Sequence, residues 1–265
     1  MKIFISVLLA ALVVFGVCFS SGCKKQENAT YIAIISAMDN EIAGLIKKAD
    51  IKRVDRIGDS EYHVGTLCGK NVVITKAGIG KIRASSGATK LFENYDISKV
   101  IFTGIAGGVS DETKVLDEVI AVNLVEHDYG IIKSDGFIWR SGDPGYGNEE
   151  GLYYHCDETL VNLAYTSAVE VLGADRVFKG TVATGDQFVA SESYVEKLKN
   201  DYNALACEME GAAVAVVCEN YGKPYVVLRA LSDKADGKAH ESYSDFANVA
   251  ADNSCKIVLK LLEKI

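Results

Sequence analysis

From residue 31 to the C-terminus, short apolar runs alternate with longer stretches in which apolar residues recur at helical spacing. An apolar run at 32–35, for example, is followed by an amphipathic segment at 40–49. Strands that alternate with helices run mostly parallel, because each helix returns the chain to the same end of the sheet. The pattern therefore predicts a single α/β domain whose twisted, mixed but mostly parallel sheet carries helices on both faces.

The hydrophobic periodicity also locates the individual elements. It predicts strands at 32–35, 71–75, 100–103, 119–125 and 225–230, and helices at 40–49, 82–95, 160–172, 192–202, 210–221 and 246–263. The stretch 131–156 lacks this periodicity and is predicted to be a long loop rich in aromatic residues. A loop of this length in a compact domain is usually functional or forms an interface.

The N-terminus differs from the rest of the chain. Lys2 is followed by an almost entirely apolar run at 3–17, by small residues and then by Cys23 and a polar stretch. The apolar run is short for a membrane-spanning helix, which needs about 20 residues, and is typical of an export signal. Gly22-Cys23 resembles a lipoprotein processing site, although Ser20 stands where a Leu is usual.

These features predict a lipoprotein signal peptide at 1–22, lipidation of Cys23, a tether at 23–30 and a folded domain at 31–265. The protein is then exported and anchored to the cell envelope by lipid alone. An uncleaved anchor and an ordinary secretory signal remain the alternative interpretations.

The charge and the cysteines exclude other classes of function. A formal net charge of -8 leaves no excess of Lys and Arg to neutralise phosphates, which argues against binding of nucleic acid or of an anionic membrane surface. The seven cysteines are widely scattered, with no CxxC motif and no pairing with histidine. We therefore expect no metal site, and no cofactor is predicted.

Polar or glycine-rich segments follow most of the predicted strands. Ligands of open α/β sheets bind beyond the carboxyl ends of the strands, so these segments are expected to form one site. They are Ala37-Met38-Asp39-Asn40-Glu41, Gly78-Ile79-Gly80, Gly104-Ile105-Ala106-Gly107-Gly108, Gly185-Asp186-Gln187-Phe188, Glu208-Met209-Glu210 and Arg229-Ala230-Leu231-Ser232-Asp233.

Two of these segments are hard to explain as ordinary structure. Arg229 lies inside an apolar strand, where it must find a buried partner. Glu208 and Glu210 flank Met209 directly before an all-apolar helix, and a carboxylate that leads into a buried helix is more often functional than structural.

Together, the six segments resemble in sequence and order those of the 5′-methylthioadenosine/S-adenosylhomocysteine nucleosidases, a family within the nucleoside phosphorylase superfamily. The resemblance runs from Ile32 to the C-terminus. It implies a nucleoside phosphorylase-like fold, a nucleosidase domain at 31–265, adenine nucleosides as substrates and a homodimer. The implied reaction hydrolyses the N-glycosidic bond of 5′-methylthioadenosine and S-adenosylhomocysteine, and also of 5′-deoxyadenosine.

The resemblance also implies the catalytic roles. Adenine is a poor leaving group as an anion, so Asp233 would protonate its N7, with Ser232 orienting the acid. Glu41 would activate the attacking water, with Arg229 helping to position that water. A carboxylic acid that is protonated near neutral pH needs a raised pKa, which a closed apolar pocket supplies.

The remaining residues of the family pattern are implied to bind the substrate. Glu210 would hold the ribose hydroxyls, Phe188 would stack on adenine, and the main chain at Val189 would bind the edge of the base. Met38, Ile79, Met209 and Tyr243 would line the ribose and 5′-alkylthio pocket, and Ala106, Gly107 and Glu208 complete the predicted substrate-binding set.

Two positions depart from the family pattern. Ile105 stands where some members carry a Ser near the attacking water, which leaves that water to Glu41 and Arg229 and predicts a lower activity. Tyr243 stands where Phe is common and adds a hydroxyl near the 5′ end.

Three alternative functions remain open. A phosphorolytic enzyme of the same superfamily needs a cluster of cations to bind phosphate. The segment after the first predicted strand instead carries Asp39 and Glu41, which repel phosphate. A nucleoside-binding lipoprotein would suit the anchor but needs neither an acid nor a base. An adhesin that recruits polyanions is disfavoured by the acidic net charge.

Overall fold

A computed structural model describes residues 29–134, 136–139 and 153–265. The described strands are β1 (Tyr31–Ser36), β2 (Asp50–Ile57), β3 (Ser60–Leu67), β4 (Lys70–Lys76), β5 (Ile97–Gly108), β6 (Glu118–Glu126), β7 (Gly130–Lys133), β8 (Gly136–Trp139), β9 (Tyr153–His155), β10 (Val177–Thr184), β11 (Ala204–Glu208) and β12 (Tyr225–Asp233). The described helices are α1 (Asp39–Lys48), α2 (Lys81–Asn94), α3 (Glu158–Leu172), α4 (Glu192–Tyr202), α5 (Gly211–Asn220) and α6 (Ala239–Leu262).

One mixed sheet organises the domain. Its strand order is β11-β10-β6-β12-β5-β1-β4-β3-β2, with β9 paired to β6, while β7 and β8 form a separate hairpin. The pairs β12–β5, β5–β1, β1–β4, β6–β10 and β10–β11 are parallel. The last residues of β5 pair antiparallel with β11, which closes β5, β12, β6, β10 and β11 into a ring of hydrogen-bonded strands.

Helices cover both faces of the sheet. Along β1, Ile34 contributes to the core beneath α1, α3 and α6, whereas Ala33 and Ile35 contribute to the core beneath α2 and α5. Successive side chains of a strand point to opposite faces, so a strand covered on both sides must be apolar throughout. This burial is why the strand reads in the sequence as an uninterrupted apolar run.

The structure confirms a single α/β domain with a mixed sheet flanked by helices. The element predictions were incomplete, because β2, β3, β10 and β11 were missed. β2 is an edge strand with mostly exposed, charged residues, so it lacks the apolar pattern of a buried strand.

Three predicted boundaries were wrong. The stretch 131–156 is not a continuous loop. Its described residues include most of β7 and all of β8 and β9. β5 continues through Gly108 instead of ending at Thr103. α6 begins at Ala239, seven residues before the predicted start, and this extension carries His240 and Tyr243.

The predicted signal peptide at 1–22, Cys23 and the tether up to residue 28 lie outside the described residues. In the part of the chain that the structure describes, no helix is both long enough and apolar enough to span a membrane.

Candidate active site

A pocket of about 390 Å³ lies at the carboxyl ends of β1, β5, β11 and β12. This is the position in which open α/β sheets bind ligands. The first turn of α1, the loops that follow β4 and β10, and the first turns of α6 complete its wall. The lining residues are Ala37, Met38, Glu41, Ile79, Ile105, Ala106, Gly107, Gln187, Phe188, Val189, Cys207, Glu208, Met209, Glu210, Ser232, Asp233, His240 and Tyr243.

Glu41 is held rigidly in the first turn of α1. Its Oε2 accepts hydrogen bonds from the backbone N–H groups of Ala37 (2.9 Å) and Met38 (2.8 Å), and its Oε1 accepts one from Ile105 (2.9 Å). Burial raises the pKa of Glu41, although the charge of Arg229 and these three donors act in the opposite direction. The side chain is therefore a preorganised carboxylate with an increased affinity for a proton.

Asp233 stands at the end of β12, with β5 between it and β1, the strand that leads into the helix α1 carrying Glu41. Its Oδ1 accepts from the N–H of Ala235 (2.7 Å), and its Oδ2 accepts from the hydroxyl of Ser232 (2.8 Å). Burial raises the pKa of Asp233 despite both donors. A carboxyl group in this environment can carry a proton into a reaction at a higher pH than an exposed one.

The glycines at the end of β5 make room for both carboxyl groups. A Cβ at Gly104 would lie 2.7 Å from Oε1 of Glu41, and a Cβ at Gly107 would lie 2.9 Å from Oδ1 of Asp233. Side chains do not tolerate such contacts. The glycine-rich segment is therefore part of the regular strand, and its composition is explained by the close approach of the two acids.

Glu208 and Arg229 form a buried ion pair. The guanidinium of Arg229 donates from Nη2 (2.6 Å) and Nε (3.2 Å) to Oε2 of Glu208. The same oxygen accepts from the N–H groups of Glu210 (3.0 Å) and Gly211 (2.7 Å), and Thr184 donates to Oε1. Glu208 thus anchors Arg229 and the start of α5.

This network bears on two predicted roles, which remain predictions. Glu208 was predicted to bind substrate, but both of its oxygens already accept hydrogen bonds from protein donors. Arg229 was predicted to position the attacking water, but it is 1% exposed and does not line the pocket. The charge of Arg229 nevertheless affects two residues of the pocket. It lowers the pKa of Glu41 and of Glu210, which burial raises.

Glu210 faces the pocket from the residue before α5. Its Oε1 accepts from the backbone N–H of Gly80 at 2.9 Å, which connects the loop after β4 to the site. Burial and the neighbouring charge of Glu208 raise the pKa of Glu210 to about 8. A carboxylate that accepts one protein hydrogen bond keeps capacity for further donors such as ligand hydroxyls.

Aromatic and apolar side chains form the opposite wall. Phe188 stacks on His240, with centroids 4.6 Å apart and an interplanar angle of 25°, and meets the edge of Tyr243 at 5.9 Å. The Tyr243 hydroxyl donates to Sδ of Met38 at 3.4 Å. Phe188 is 43% exposed, so its ring is available to a planar ligand.

A polar cluster fixes the loop that carries Phe188. Asp128 accepts from the N–H of Asp186 (2.8 Å) and from Nζ of Lys81 (2.7 Å). The N–H of Lys81 in turn donates to Oδ1 of Asp186 at 2.8 Å. The loops after β4 and β10 are therefore joined to each other next to the pocket.

The pocket is lined by several carboxyl groups and by no basic Lys or Arg among its described residues. The carboxyl groups are those of Glu41, Glu208, Glu210 and Asp233. The described residues also contain no group of His, Cys, Asp and Glu that would hold a metal ion. Such a site favours a species that becomes positively charged and disfavours an anion.

Every residue predicted to bind substrate lines this pocket, as do Glu41, Ser232 and Asp233. Arg229 lies behind the wall, and the predicted lipidation site Cys23 lies outside the described residues. Ala37, Ile105 and Gln187 also line the pocket and belong to the predicted segments without an assigned binding role, whereas Cys207 and His240 were missed. His240 lies three residues before Tyr243 on α6, so helical spacing would have indicated it had α6 been placed correctly.

Comparisons with known proteins identify the family that this chain resembles. A family model described as the phosphorylase superfamily matches residues 31–263. The 5′-methylthioadenosine/S-adenosylhomocysteine nucleosidase of Bacillus subtilis (strain 168) is 37% identical over 237 residues, which cover 88% of this chain and 99% of that protein.

Two solved structures are similar to the whole domain. The nucleosidase of this name from Neisseria meningitidis, in complex with methylthio-immucillin-A, superposes with a TM-score of 0.80 at 32% identity, covering 89% of this chain and 99% of the other. The enzyme from Helicobacter pylori with butyl-thio-DADMe-Immucillin-A also gives a TM-score of 0.80 at 32% identity, covering 90% and 100%.

Proposed function

The chain belongs to the 5′-methylthioadenosine/S-adenosylhomocysteine nucleosidase family of the phosphorylase superfamily, and on this premise we propose that it is an N-glycosyl hydrolase of adenine nucleosides. It hydrolyses 5′-methylthioadenosine, S-adenosylhomocysteine and 5′-deoxyadenosine, releasing adenine and the corresponding ribose. The observation that carries the proposal is the pair of buried acids, Glu41 and Asp233, that face one pocket lined by no Lys or Arg among its described residues.

In this mechanism, Asp233 is the general acid. Because its pKa is raised, the Asp233 carboxyl group holds a proton, which it donates to adenine N7 as the bond to the ribose breaks. The hydroxyl of Ser232 and the N–H of Ala235 fix the carboxyl group and accommodate the charge that remains on it after transfer. Phe188 stacks on the base so that N7 faces this acid.

Glu41 is the general base for the attacking water. The three backbone donors hold its carboxylate on the far side of β5 from Asp233, so water and leaving group can lie on opposite sides of the ribose carbon. The sugar becomes an oxocarbenium-like cation in the transition state, and the surrounding carboxyl groups stabilise that charge. Glu210, beside Met209, accepts hydrogen bonds from the ribose hydroxyls.

Ile105 lies next to the general base Glu41, so its side chain bears on the attacking water and not on the general acid Asp233. Its N–H orients Glu41, but its side chain packs with Ala230 and the α6 residues Ala247, Ala250 and Ala251. This position supplies no hydroxyl for the attacking water. The water is therefore held chiefly by Glu41, which supports the expectation of a modest rate.

Hydrolysis is favoured over phosphorolysis by charge. A phosphate dianion at the water position would face Glu41 and the neighbouring Glu210 without a cation in the described lining of the pocket. Arg229 cannot serve, because Glu208 already neutralises it.

The test is adenine release by the purified domain at 31–265, measured with and without inorganic phosphate. We expect release from 5′-methylthioadenosine at the same rate in both buffers. Release only with phosphate, accompanied by ribose 1-phosphate products, would identify a phosphorylase. Tight binding of the nucleoside without release would identify a binding protein.

We further propose that two copies of the chain form a homodimer across the mouth of the pocket. Large apolar side chains are exposed there, including Ile79 (48%), Phe188 (43%) and Ile132 (85%), the last in the β7–β8 hairpin. Phe188 lines both the pocket, together with Ile79, and the neighbouring cleft, together with Ile132, so exposed apolar side chains extend from the pocket to the hairpin. A contiguous exposed apolar patch is typical of an interface.

Export and lipid anchoring remain part of the proposal. Their support is the sequence: a basic start, an apolar run at 3–17, and Cys23 followed by a polar stretch. The tether at 23–30 ends next to β1, the first strand of the domain.

A further inference from the structure

Tyr243 places a hydroxyl in the wall of the pocket that it forms with Met38, Ile105, Phe188 and His240. The ring lies on α6 against Phe188, with Met38 and Ile105 in the same packed cluster. Its hydrogen-bond partner in the described chain is Sδ of Met38, at 3.4 Å. The wall therefore contains a hydrogen-bond donor, the Tyr243 hydroxyl, whose acceptor is the thioether sulfur of Met38.

The bond from Tyr243 to Met38 is easily exchanged. A thioether sulfur is a weak acceptor, so little is lost when a ligand atom replaces it. Burial, with the charges of Glu41 and Asp233, raises the pKa of Tyr243 above its ordinary value. The hydroxyl consequently keeps its proton and is a donor over the whole working pH range.

The proposed mechanism determines which part of the substrate meets this donor. Asp233 and Phe188 hold the base, and Glu210 holds the ribose hydroxyls. The ribose carbon that is attacked must lie near Glu41. The substituent on C5′ is the part of the substrate without an assigned partner. Met38, whose N–H bonds Glu41, and Tyr243, which bonds Met38, line the pocket next to the attacked carbon and are available to it.

We propose that Tyr243 is a specificity-determining residue, whose hydroxyl donates a hydrogen bond to the heteroatom that the substrate carries on C5′. This inference rests on the proposed function. The bond is transferred from Sδ of Met38 to the ligand. An oxygen accepts more strongly than a thioether sulfur, so the contribution increases from no heteroatom, through sulfur, to oxygen.

The test compares three substrates that differ only at C5′: 5′-deoxyadenosine, 5′-methylthioadenosine and adenosine. In Tyr243→Phe, we expect kcat/KM for 5′-deoxyadenosine to stay near the wild-type value. The value for 5′-methylthioadenosine should fall by about twofold or more, and that for adenosine by up to about tenfold, as expected for one lost hydrogen bond.

Two variants serve as controls. Tyr221→Phe removes a hydroxyl outside the pocket and should leave all three values unchanged. Met38→Leu removes the internal acceptor but leaves the Tyr243 hydroxyl, so the preference for a heteroatom should persist or increase.

An equal loss for all three substrates in Tyr243→Phe, or no loss for any, would overturn the inference. A preference that disappears in Met38→Leu but persists in Tyr243→Phe would assign it to the sulfur of Met38 instead. If the wild-type protein releases adenine from none of the three substrates, the proposed function itself fails, which is a different result.

Discussion

Asp233 is the residue on which the proposed chemistry depends most directly. In Asp233→Asn the side chain keeps its shape and its hydrogen-bonded neighbours Ser232 and Ala235, but it has no acidic proton to donate. We expect kcat to fall by at least about 100-fold, because general acid catalysis is typically worth that much or more. Substrate affinity should change little, since the acid acts in the transition state.

The measurement for Asp233→Asn is single-turnover adenine release together with calorimetric binding of 5′-methylthioadenosine. Ser191→Ala, near the loop that carries Phe188 but outside the pocket lining, is a control that should retain activity. Turnover of Asp233→Asn at the wild-type rate would remove this residue from the acid role.

Glu118 should make the folded protein sensitive to pH. It is completely buried at the start of β6; its Oε1 accepts from Ser254, and its Oε2 has no partner among the described residues. Burial raises its pKa to about 8, from an ordinary value of 4.5. The folded state therefore keeps a proton that the unfolded state has lost between these two pH values.

The free energy of unfolding should accordingly decrease as the pH rises from about 4.5 to about 8, since the folded state is the one that binds the proton. One pKa unit corresponds to about 1.4 kcal/mol, which urea unfolding resolves easily. Glu118→Gln should reduce this dependence. An unchanged pH profile in that variant would show that Glu118 ionises normally in the folded protein.

At the scale of elements, the sequence was most informative where burial imposes a simple pattern. β1, β4 and β12 are covered on both faces and were recognised as apolar runs. β2 was missed because its side chains face solvent and are held by local ion pairs such as Arg53–Asp55. Periodicity carries no information about a strand whose faces are both polar.

The site was predictable for a different reason. Its residues are concentrated where strands end, and their order along the chain follows that of a known family. What could not be predicted was how they pair. Glu208 and Glu210 are two residues apart and both acidic, but only the fold shows that Arg229 is bonded to Glu208 and leaves Glu210 to the pocket.

The end of β5 offers a test of how tightly this element packs against the catalytic groups. Gly104→Ala would place a Cβ 2.7 Å from Oε1 of Glu41 and 3.1 Å from Nη1 of Arg229. We expect Glu41 to be displaced and kcat/KM to fall by about 100-fold, since small misplacements of catalytic groups have effects of this size. Adenine release is the measurement.

The matched control is Gly237→Ala, in which the new Cβ meets nothing within 4 Å. It should behave like the wild-type enzyme. If Gly104→Ala were as active as the wild type, β5 would have shifted to accept the Cβ without displacing Glu41. The explanation given for the glycine-rich segment would then be wrong.

For the whole molecule, the exposed apolar patch predicts association. Light scattering of the domain at 31–265 should give twice the chain mass at micromolar concentration. Ile132→Asp should shift the protein toward monomer, because it places a charge in the proposed interface. Val54→Asp, which adds the same single negative charge on the exposed edge strand β2, is the control. A fully active wild-type monomer would contradict the dimer.

The proposed anchor is tested in cells by labelling with a radioactive fatty acid. The wild-type chain should be labelled, and Cys23→Ala should not, because acylation needs the thiol of that residue. Cys68→Ala, which changes an exposed cysteine of the folded domain, should be labelled like the wild type. Equal labelling of the wild type and Cys23→Ala, or none of either, would exclude a lipoprotein.

The central place of β12 has a consequence for how the protein is made. This strand comes late in the chain, yet it lies between β5 and β6, and it supplies both Arg229 and Asp233. While a ribosome is still extending the chain, β5 and β6 lack their shared neighbour and the ring of strands stays open. Domains fold as units, so the nascent protein remains incompletely folded until synthesis is almost finished. A secretory channel accepts chains in that state, so late insertion of β12 is compatible with the proposed export.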